Sequence, residues 1–431
     1  MNDTVACTNV ENWWNGKVII DEIKMYVDSR GMVSEVWRID SLMGKDSKQC
    51  YISETAPYVM RGPHSHLQQV DEFVSWKNNM VYQMYNPEKK EMKTFITEKN
   101  KIYRVHVSVG IIHSYRNLDS QKSFTLNFPT SLFMGEGKKE PIDEIRHEQK
   151  YEHNDVLVVF GAAGKLGAAL TAEFFANMGE HKYDVIPSYE KLKSKEEVVE
   201  FFDKLDLALG KNRKVYFFNC AAVTNVQDVN TEESIWEWSN VSMPVEFAKE
   251  CYARHWYFVQ FSTDYLYQQV ESNIVNYSLS SYTRSKIRME VALKNIKFNN
   301  ISIIRVANLF ANSDTHNVIY KMHKVLKETG TIKVDPRLKI FPTHVSDLSK
   351  AIFDLYSSQS IGMNATYTSA DYNLVPNCSY FLPEFVKQFF GIEPILENGR
   401  IKPWHDQFVN KSHRIFDSNP ELIHKLITEI A

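Results

Sequence analysis

The sequence lacks the features of several protein classes. Its 431 residues include five cysteines, which are odd in number, widely spaced and never in C-x-x-C. This argues against a disulfide framework or a cysteine zinc site and favours a reducing compartment. No apolar run approaches the roughly 18 residues of a membrane span, and the polar N-terminus has no signal pattern. The formal net charge of -3 gives no reason to expect nucleic acid or a membrane as partner. A cytoplasmic protein is expected.

Residues 1–150 also lack long helical periodicity. Short segments rich in β-branched and aromatic residues follow one another instead, with turn residues between them. These segments are 17–21, 32–39, 69–76, 80–85, 102–107 and 124–128. Many short strands at roughly even spacing predict an all-β domain over 1–150, a small barrel or jelly roll.

Two histidine motifs lie within this pattern. Residues 61–66 contain His64 and His66, and the alternation of a strand sends both imidazoles to the same face. Residues 110–117 carry G-x-x-H-x-x-x-N around His113. Histidines are seldom paired on a barrel interior merely to pack, so the motifs predict a functional site.

The motifs resemble those of the cupin superfamily. Residues 110–117 are similar to the second cupin motif, with Ser108 where proline is usual. Arg61-Gly-x-His64 and the segment that begins at Asp143, in their order across residues 22–148, resemble the dTDP-4-dehydrorhamnose 3,5-epimerase family. The resemblance implies a cupin-type barrel that epimerises the carbons beside the ketone of a nucleotide sugar.

Epimerisation beside a ketone needs a base for an α-proton and a group that stabilises the enolate. The resemblance implies that His64 is the base, a role that suits the ordinary pKa of histidine, and that Asp143 orients it. It implies that Arg61, His66, His113 and Tyr115 line the substrate site. The family returns the proton from a tyrosine on a late strand, but Leu126 aligns there, and Tyr115 or Tyr82 would have to substitute. No metal is expected.

Other activities of the same barrel stay open. His64-x-His66 also resembles sugar 3,4-ketoisomerases, and the barrel could act as a single-centre epimerase. A metal-dependent cupin is a further option, with His64, His66, Asp71 and His113 as ligands. A non-catalytic barrel is the remaining one.

A second domain, over 151–431, is predicted from a strand followed by a glycine turn. The apolar run 155–160 reads as a buried strand, and G-x-x-G-x-x-G follows it and opens a helix from Lys165 to about Met178. Glycines allow the tight turn and bring backbone N–H groups against a pyrophosphate at a helix N-terminus. Later strands and helices alternate, which predicts an α/β Rossmann fold with a doubly wound parallel sheet.

Catalytic residue types follow in order along this domain. Ser262-Thr263-Asp264 comes directly after a predicted strand, and Tyr282 and Lys286 lie four apart on a predicted helix, hence on one face. A lysine ammonium beside a phenol favours the phenolate, so this pair can exchange a proton near neutral pH.

Residues 155–420 resemble the extended short-chain dehydrogenase/reductase family, and within it the dTDP-4-dehydrorhamnose reductases. The resemblance implies that Thr263, Tyr282 and Lys286 are catalytic and that Asp264 and Tyr265 bind substrate. It implies a cofactor site formed by Gly161, Gly164, Lys165, Leu166, Gly167, Ala221, Ala222, Tyr282 and Lys286. NADPH is the expected cofactor and NADH the alternative, because no acidic residue follows the second strand at the usual 2′-hydroxyl position. Beyond about Val318 a small substrate cap is expected.

Together these segments predict a bifunctional enzyme. An epimerase barrel would convert NDP-4-keto-6-deoxy-D-glucose to its L-configured 4-keto sugar, and the reductase would give NDP-L-rhamnose, with UDP or dTDP as the nucleotide. The alternatives are a related deoxysugar synthase and a non-catalytic NADP-sensing binding protein. The expected partner is the nucleotide-sugar substrate, and a homodimer is expected.

Overall fold

The computed structural model describes the chain in segments. The described residues are 7–38, 46–147, 155–177, 183–209, 213–224, 233–267, 269–270, 280–297, 299–312, 315, 317–358, 370–376, 379–397, 401–402, 414–416 and 419–430. Met178, the expected end of the first Rossmann helix, lies outside them.

Contacts divide the chain into two compact units. The first comprises Met1–Asn154, Met178–Ile186 and Glu200–Arg213, and the second comprises Asp155–Asn177, Pro187–Val199 and Lys214–Ala431. The domain boundary at residues 150 and 151 stays a prediction.

The described residues between 7 and 147 form mainly antiparallel strands. They are β1 (Cys7–Trp13), β2 (Val18–Ile23), β3 (Tyr26–Asp28), β4 (Gly31–Val33), β5 (Tyr51–Thr55), β6 (Met60–Ser65), β7 (Asp71–Trp76), β8 (Met80–Asn86), β9 (Glu91–Ile96), β10 (Ile102–Val107), β11 (Ile112–Asn117), β12 (Ser123–Asn127) and β13 (Ile145–Arg146). A short 3₁₀ turn covers Glu136–Lys138.

Two sheets, called here the N-terminal sheets, contain most of these strands. One has the order β1-β2-β10-β7-β12-β5 and the other β13-β6-β11-β8-β9. Their strand pairs are antiparallel. A buried cluster that includes Trp13, Phe73, Tyr82, Tyr103 and Tyr115 forms a core in this region. The region is thus mostly antiparallel sheet, and the cupin or jelly-roll barrel stays a prediction.

Strand β12 shows how alternation sorts the side chains. Thr125 and Asn127 are almost completely buried, and Asn127 contacts Asp71. Leu126 between them packs in a different cluster, with Val74 and Phe128. Neighbouring residues of a strand point to opposite faces, so Leu126 lies on the face of the sheet opposite to Asn127 and Asp71.

The strand expected over 32–39 is only partly present. The β3–β4 hairpin closes with Asp28 opposite Gly31, and strand geometry ends at Val33. Val36 and Trp37 lie in an irregular segment and pack against the cluster that contains Val74 and Phe128. Val36 and Trp37 are therefore apolar because they pack against a sheet, and not because they belong to one of its strands.

Strands and helices alternate after residue 155. The elements are β14 (Asp155–Phe160), α1 (Lys165–Asn177), β15 (Tyr183–Ser188), α2 (Lys195–Leu209), β16 (Lys214–Asn219), α3 (Glu233–Glu237), a π-helical turn (Trp238–Ser242), α4 (Met243–Ala253), β17 (Tyr257–Thr263), a 3₁₀ turn (Asp264–Tyr267), β18 (Gln269–Val270), α5 (Ser281–Lys294), β19 (Ile301–Val306), β20 (Leu309–Phe310), α6 (Val318–Thr329), β21 (Lys333–Val334), β22 (Lys339–Ile340), β23 (Thr343–His344), α7 (Val345–Ser357), β24 (Ala370–Pro376), β25 (Tyr380–Phe381), α8 (Leu382–Phe390), β26 (Ile395–Leu396), β27 (Ile401–Lys402), β28 (Arg414–Phe416) and α9 (Glu421–Ile430).

A seven-stranded sheet organises this part of the chain, with the order β15-β14-β16-β17-β19-β24-β28. The pairs from β14 to β28 are parallel. Residues 156–159 of β14 are fully buried, as expected for a strand covered on both faces. The prediction of a Rossmann-like α/β parallel sheet is confirmed.

Helices α6, α8 and α9 contribute to a smaller apolar cluster of their own. It contains Ile319, Phe385, Phe389, Ile423 and Leu426. This cluster lies within the region expected to form the substrate cap, whose role stays a prediction. Among the helices that the structure describes, none has the length and apolar character to cross a membrane.

Candidate functional site

Four side chains of metal-ligating type converge in the N-terminal sheets. His64 lies on β6, His66 directly after it, Asp71 at the start of β7 and His113 on β11. One ligand atom from each lies within 4.8 Å of the others. The antiparallel register places His113 opposite His64, so residues far apart in sequence become neighbours. His66, Asp71 and His113 are buried, and His64 is half-buried.

Backbone carbonyls determine which ring nitrogens of this cluster carry a proton. Nδ1 of His113 lies 3.0 Å from the carbonyl oxygen of Ile111, and Nδ1 of His66 contacts the carbonyl oxygen of Asp143. A carbonyl oxygen only accepts hydrogen bonds, so both Nδ1 atoms are the donors. In the neutral rings Nε2 is then the atom with the lone pair.

Both Nε2 atoms face the same carboxylate oxygen. They lie 3.2 Å (His66) and 3.3 Å (His113) from Oδ2 of Asp71. Nε2 of His113 and Oδ2 of Asp71 are buried without a hydrogen-bond partner among the described residues. Two lone pairs at this distance repel each other unless a proton or a metal cation lies between them.

The pKa values of the cluster reflect this arrangement. Although burial acts in the opposite direction, the neighbouring imidazoles of His113 and His66 hold the pKa of Asp71 well below its usual range. Burial also opposes the rise of the pKa of His66, which comes from the adjacent Asp71 carboxylate. Burial and the neighbouring His113 lower the pKa of His64 to about 4.

This set of atoms fits a divalent metal ion. Three imidazoles and one carboxylate are common ligands of zinc and of other first-row transition metals. Metal-bound histidines usually donate their second N–H to a carbonyl or carboxylate, as His66 and His113 do. The sequence led us to expect no metal, but this set of ligand atoms suits a metal ion.

A cavity of about 950 Å³ opens at this cluster. Its wall includes Arg61, His64, His66 and Tyr115, so the structure brings together most of the predicted substrate site. Arg61 donates from Nε to Oγ1 of Thr55, at 3.0 Å.

Asp143 lies at the cavity but its carboxylate does not contact His64. It accepts hydrogen bonds from the backbone N–H groups of Leu67, Gln68 and Gln69, at 2.9–3.1 Å. Its carbonyl oxygen accepts from His66. The expected role of Asp143 in orienting His64 is therefore not supported by this geometry, because its oxygen atoms are used to position the segment that follows β6.

The glycine turn of the second unit joins β14 to α1. Gly161 has a φ of +79°, and a Cβ there would lie 2.8 Å from the backbone nitrogen of Ala221. A Cβ on Gly167 would collide with the carbonyl of Gly161. These two glycines are needed for close backbone packing.

Gly164 is different, because among the residues that the structure describes a Cβ there would approach only the carbonyl oxygen of Gly161, at 3.3 Å. The amides of Lys165, Leu166 and Gly167 form the first turn of α1, where backbone N–H groups lack intrahelical partners. Such a helix N-terminus suits a diphosphate. The turn and the adjacent Ala221 and Ala222 therefore fit a dinucleotide cofactor.

Thr263, Tyr282 and Lys286 come together at the end of β17 and the start of α5. The hydroxyl of Thr263 acts to lower the pKa of Tyr282, so the two side chains are neighbours. Nζ of Lys286 donates to the carbonyl oxygen of Phe261 at 3.1 Å and lies 5.9 Å from the centre of the Tyr282 ring. Asp264 is buried beside Thr263, with Oγ1 and Oδ1 3.2 Å apart, and the rings of Tyr265 and Tyr282 are 6.4 Å apart.

Burial changes the pKa values of this pair in opposite directions. It raises the pKa of Tyr282, with further contributions from Tyr265 and Asp264, and lowers the pKa of Lys286 to about 8. The expected lowering of the pKa of Tyr282 by Lys286 is absent in this geometry, because the ammonium is hydrogen-bonded to the backbone instead.

Two positioning residues were not predicted. Asn240, in the π-helical turn, accepts from the backbone N–H of Val223 (2.8 Å) and donates to the carbonyl of Val223 (2.9 Å) and to Oγ of Ser285 (3.1 Å). It thereby ties the segment after β16 to the helix that carries Tyr282. The ring of Trp236 packs 6.3 Å from that of Tyr282. No local pattern in the sequence indicates the π-helical turn that places Asn240.

Comparisons with known proteins give two family matches. The model of the RmlD substrate binding domain matches residues 155–373, which is just over half of the 431 residues. The chain belongs to the RmlD substrate binding domain family. The model of the polysaccharide biosynthesis C-terminal domain matches residues 26–138. Membership of the RmlD substrate binding domain family supports the predicted reductase half, and the epimerase half stays a prediction.

Several solved structures are similar to the chain. One is dTDP-4-dehydrorhamnose reductase from Bacillus anthracis str. Ames in complex with NADP, with 20% identity, 64% of this chain and 98% of that chain covered and a TM-score of 0.46. A second is an orthologue of that reductase from Clostridium acetobutylicum, with 18% identity, coverage of 64% and 98% and a TM-score of 0.45. A third is MoeE5 in complex with UDP-glucose and NAD, with 17% identity, coverage of 64% and 98% and a TM-score of 0.46. No curated protein matches the chain.

Proposed function

We propose that this chain is a bifunctional nucleotide-sugar enzyme. Its N-terminal half is a 3,5-epimerase that acts on an NDP-4-keto-6-deoxy-D-glucose, and its C-terminal half is a 4-keto reductase, so the product is an NDP-L-rhamnose. The observation that carries the reductase proposal is the meeting of Thr263, Tyr282 and Lys286 in a member of the RmlD substrate binding domain family.

The reductase half reduces the ketone to an alcohol. The cofactor, NADPH or alternatively NADH, supplies the hydride. Tyr282 donates a proton to the ketone oxygen, and its raised pKa keeps it in the protonated form. Thr263 hydrogen-bonds the same oxygen, while Asp264 and Tyr265 line the sugar site. Lys286 binds the cofactor ribose, and the first turn of α1 binds the diphosphate.

The epimerase half acts in the cavity of the N-terminal sheets. His64, at the cavity wall, removes the proton beside the ketone, and Arg61, His66 and Tyr115, which also line the cavity, hold the substrate. A pKa of about 4 makes His64 neutral at pH 7 but a weak base. Catalytic bases work best when their pKa lies near the working pH. The role of base therefore requires that substrate binding raises the pKa of His64.

A second candidate for this half is a metal-dependent isomerase, either an epimerase or a ketoisomerase. The two unpartnered atoms that face each other, Nε2 of His113 and Oδ2 of Asp71, favour it. His64, His66, Asp71 and His113 would hold the ion, which as a Lewis acid would stabilise an enolate. His64 would then be a ligand rather than the base, and its low pKa suits that role because ligands must be deprotonated.

Product analysis tests the function. UDP- and dTDP-4-keto-6-deoxyglucose are each incubated with the protein and NADPH, and the products are identified by NMR. We expect an L-configured 6-deoxy sugar from one of the two nucleotides. An unepimerised 6-deoxy sugar would contradict the epimerase half, and cofactor binding without ketone reduction would favour a sensing protein.

Chelation separates the two candidates for the N-terminal half. The protein is treated with a strong chelator, and the exchange of substrate C–H hydrogen with solvent deuterium is followed by NMR. Loss of exchange that a divalent ion restores would establish the metal-dependent candidate. Unchanged exchange would establish the metal-free one, with His64→Asn expected to stop exchange. Reduction of an already epimerised ketone by the same sample is the control.

A further inference from the structure

One tyrosine of the cavity wall has a hydroxyl proton that no described residue accepts. Tyr51 lies on β5, the edge strand of the six-stranded sheet, directly opposite Asn127 on β12. Its side chain lines the cavity and is 43% exposed. Its hydroxyl oxygen lies 2.6 Å from Nδ2 of Asn127.

The orientation of Asn127 follows from its second contact. The same Nδ2 lies 2.9 Å from Oδ1 of Asp71. A carboxylate only accepts hydrogen bonds, so this atom is the amide nitrogen and donates to both partners. The oxygen of Tyr51 is therefore an acceptor towards Asn127, and the O–H of Tyr51 remains available to a molecule in the cavity. Burial raises the pKa of Tyr51 to about 12, so the hydroxyl is protonated at neutral pH.

The other candidate donors are placed less well. Leu126, at the position where the epimerase family has its tyrosine, lies on the opposite face of the sheet from Asn127. Tyr82 is fully buried and is not part of the cavity wall. Tyr115 does line the cavity but is only 4% exposed, and Ser53 and Thr55 lie beside its hydroxyl.

Tyr51 also lies on a different sheet from the histidines. His64 and His113 belong to β6 and β11 of the five-stranded sheet, whereas Tyr51 belongs to the six-stranded sheet. A sugar in the cavity can thus contact His64 from one sheet and Tyr51 from the other. Inversion of a carbon centre needs such a pair of groups, one that removes a proton and one that returns it to the opposite face.

We propose that Tyr51 is the proton donor that inverts the substrate carbon in the N-terminal half, an inference that rests on the epimerase function proposed above. A base takes the α-proton, and the electrons of the broken C–H bond enter the enolate double bond. The enolate carbon then takes the proton of the Tyr51 hydroxyl, so a new C–H bond forms, the ketone is restored and tyrosinate remains. Solvent reprotonates the tyrosinate, which the exposure of Tyr51 permits, and the protonated base releases its proton to solvent.

The test is Tyr51→Phe in deuterated solvent, without NADPH. NMR follows two quantities, the exchange of the α-hydrogen for deuterium and the appearance of inverted sugar. We expect exchange to stay within about twofold of the wild type, because the base returns deuterium to the same face. Inversion should fall by roughly a hundredfold or more, the usual value of one general acid.

Tyr103→Phe is the matched control. It removes another hydroxyl of the same sheet, one that contacts Glu98 at 3.2 Å and is not part of the cavity wall, and it should leave both quantities unchanged. Inversion by Tyr51→Phe at the wild-type rate would overturn the proposal, as would a joint loss of exchange and inversion in a folded variant. If the wild type itself neither exchanges nor inverts, the epimerase function fails and the role of Tyr51 with it.

Discussion

The two candidate sites treat charge in opposite ways. In the N-terminal sheets, the pKa of Asp71 is lowered and that of His66 is raised, so these two groups favour their charged forms, while burial keeps the neighbouring His64 neutral. At the end of β17, burial raises the pKa of Tyr282 and lowers that of Lys286, so the second site stabilises neutral forms. The difference indicates what each site needs. The first has a carboxylate and imidazoles arranged around a position for a cation. In the second, burial disfavours the charged forms of Tyr282 and Lys286, and a bound ligand would have to supply the interactions that stabilise them.

Replacing Tyr282 should have the largest effect and should separate the two sites. Tyr282→Phe removes the proton donor, so ketone reduction should fall by about 10²–10⁴. NADPH affinity should change little, because the glycine turn is untouched. Stopped-flow absorbance at the nicotinamide band with an already epimerised ketone measures the loss.

Proton exchange in the N-terminal cavity provides the control for this variant. Tyr282→Phe should exchange α-hydrogen with solvent at the wild-type rate, since Tyr282 belongs to the other unit. Normal ketone reduction by Tyr282→Phe would remove the proposed reductase mechanism. Loss of exchange in this variant would show that the two sites do not work independently.

The two sites differ in how far the sequence predicts them. The second site follows from short motifs, because in a parallel sheet the chemistry lies at strand ends and at the next helix start. Residues 155–160 were expected as a strand and are one, and the helix expected from Lys165 begins there. Local pattern is sufficient for such elements.

The first site depends on long-range pairing. The sequence indicates His64 and His113 as candidates, but only the β6–β11 register makes them neighbours. Two further contacts also join residues that are far apart in sequence. Asp143 contacts the backbone after β6, and Tyr51 lies opposite Asn127. The polar strand β9, Glu91–Ile96, was not expected, because its pairing with β8 rather than an apolar pattern defines it.

Gly164→Val should have the next largest effect. The described residues leave space around Gly164, since a Cβ there would approach only one carbonyl oxygen among them. A valine side chain there would occupy space that the diphosphate needs. NADPH affinity, measured by fluorescence titration, should fall by roughly tenfold or more, which is about 1.4 kcal/mol per factor of ten.

Ala168→Val is the matched control for this change. It adds the same side chain on the exposed side of α1, one turn later, and should leave NADPH affinity unchanged. Thermal unfolding should be similar for both variants, in contrast to Gly161→Val, where a Cβ would press on the backbone of Ala221. Unchanged NADPH binding by Gly164→Val would mean that the cofactor site lies elsewhere.

The smallest expected effect tests whether the second site truly favours neutral groups. The pKa of Lys286 is lowered from 10.5 to about 8 in the folded protein. Between these values the unfolded chain binds more protons than the folded one, so the contribution of Lys286 to stability increases as pH rises. Below pH 8 both states are charged at this residue, and its burial is fully unfavourable.

The free energy of unfolding of the wild type, relative to Lys286→Met, should therefore rise by about 1 kcal/mol per pH unit between pH 8 and 9. Urea unfolding of both proteins without cofactor measures this difference, in which the titrations of other groups cancel. A difference independent of pH would show that Lys286 keeps its charge when buried, and the contrast between the two sites would then no longer hold.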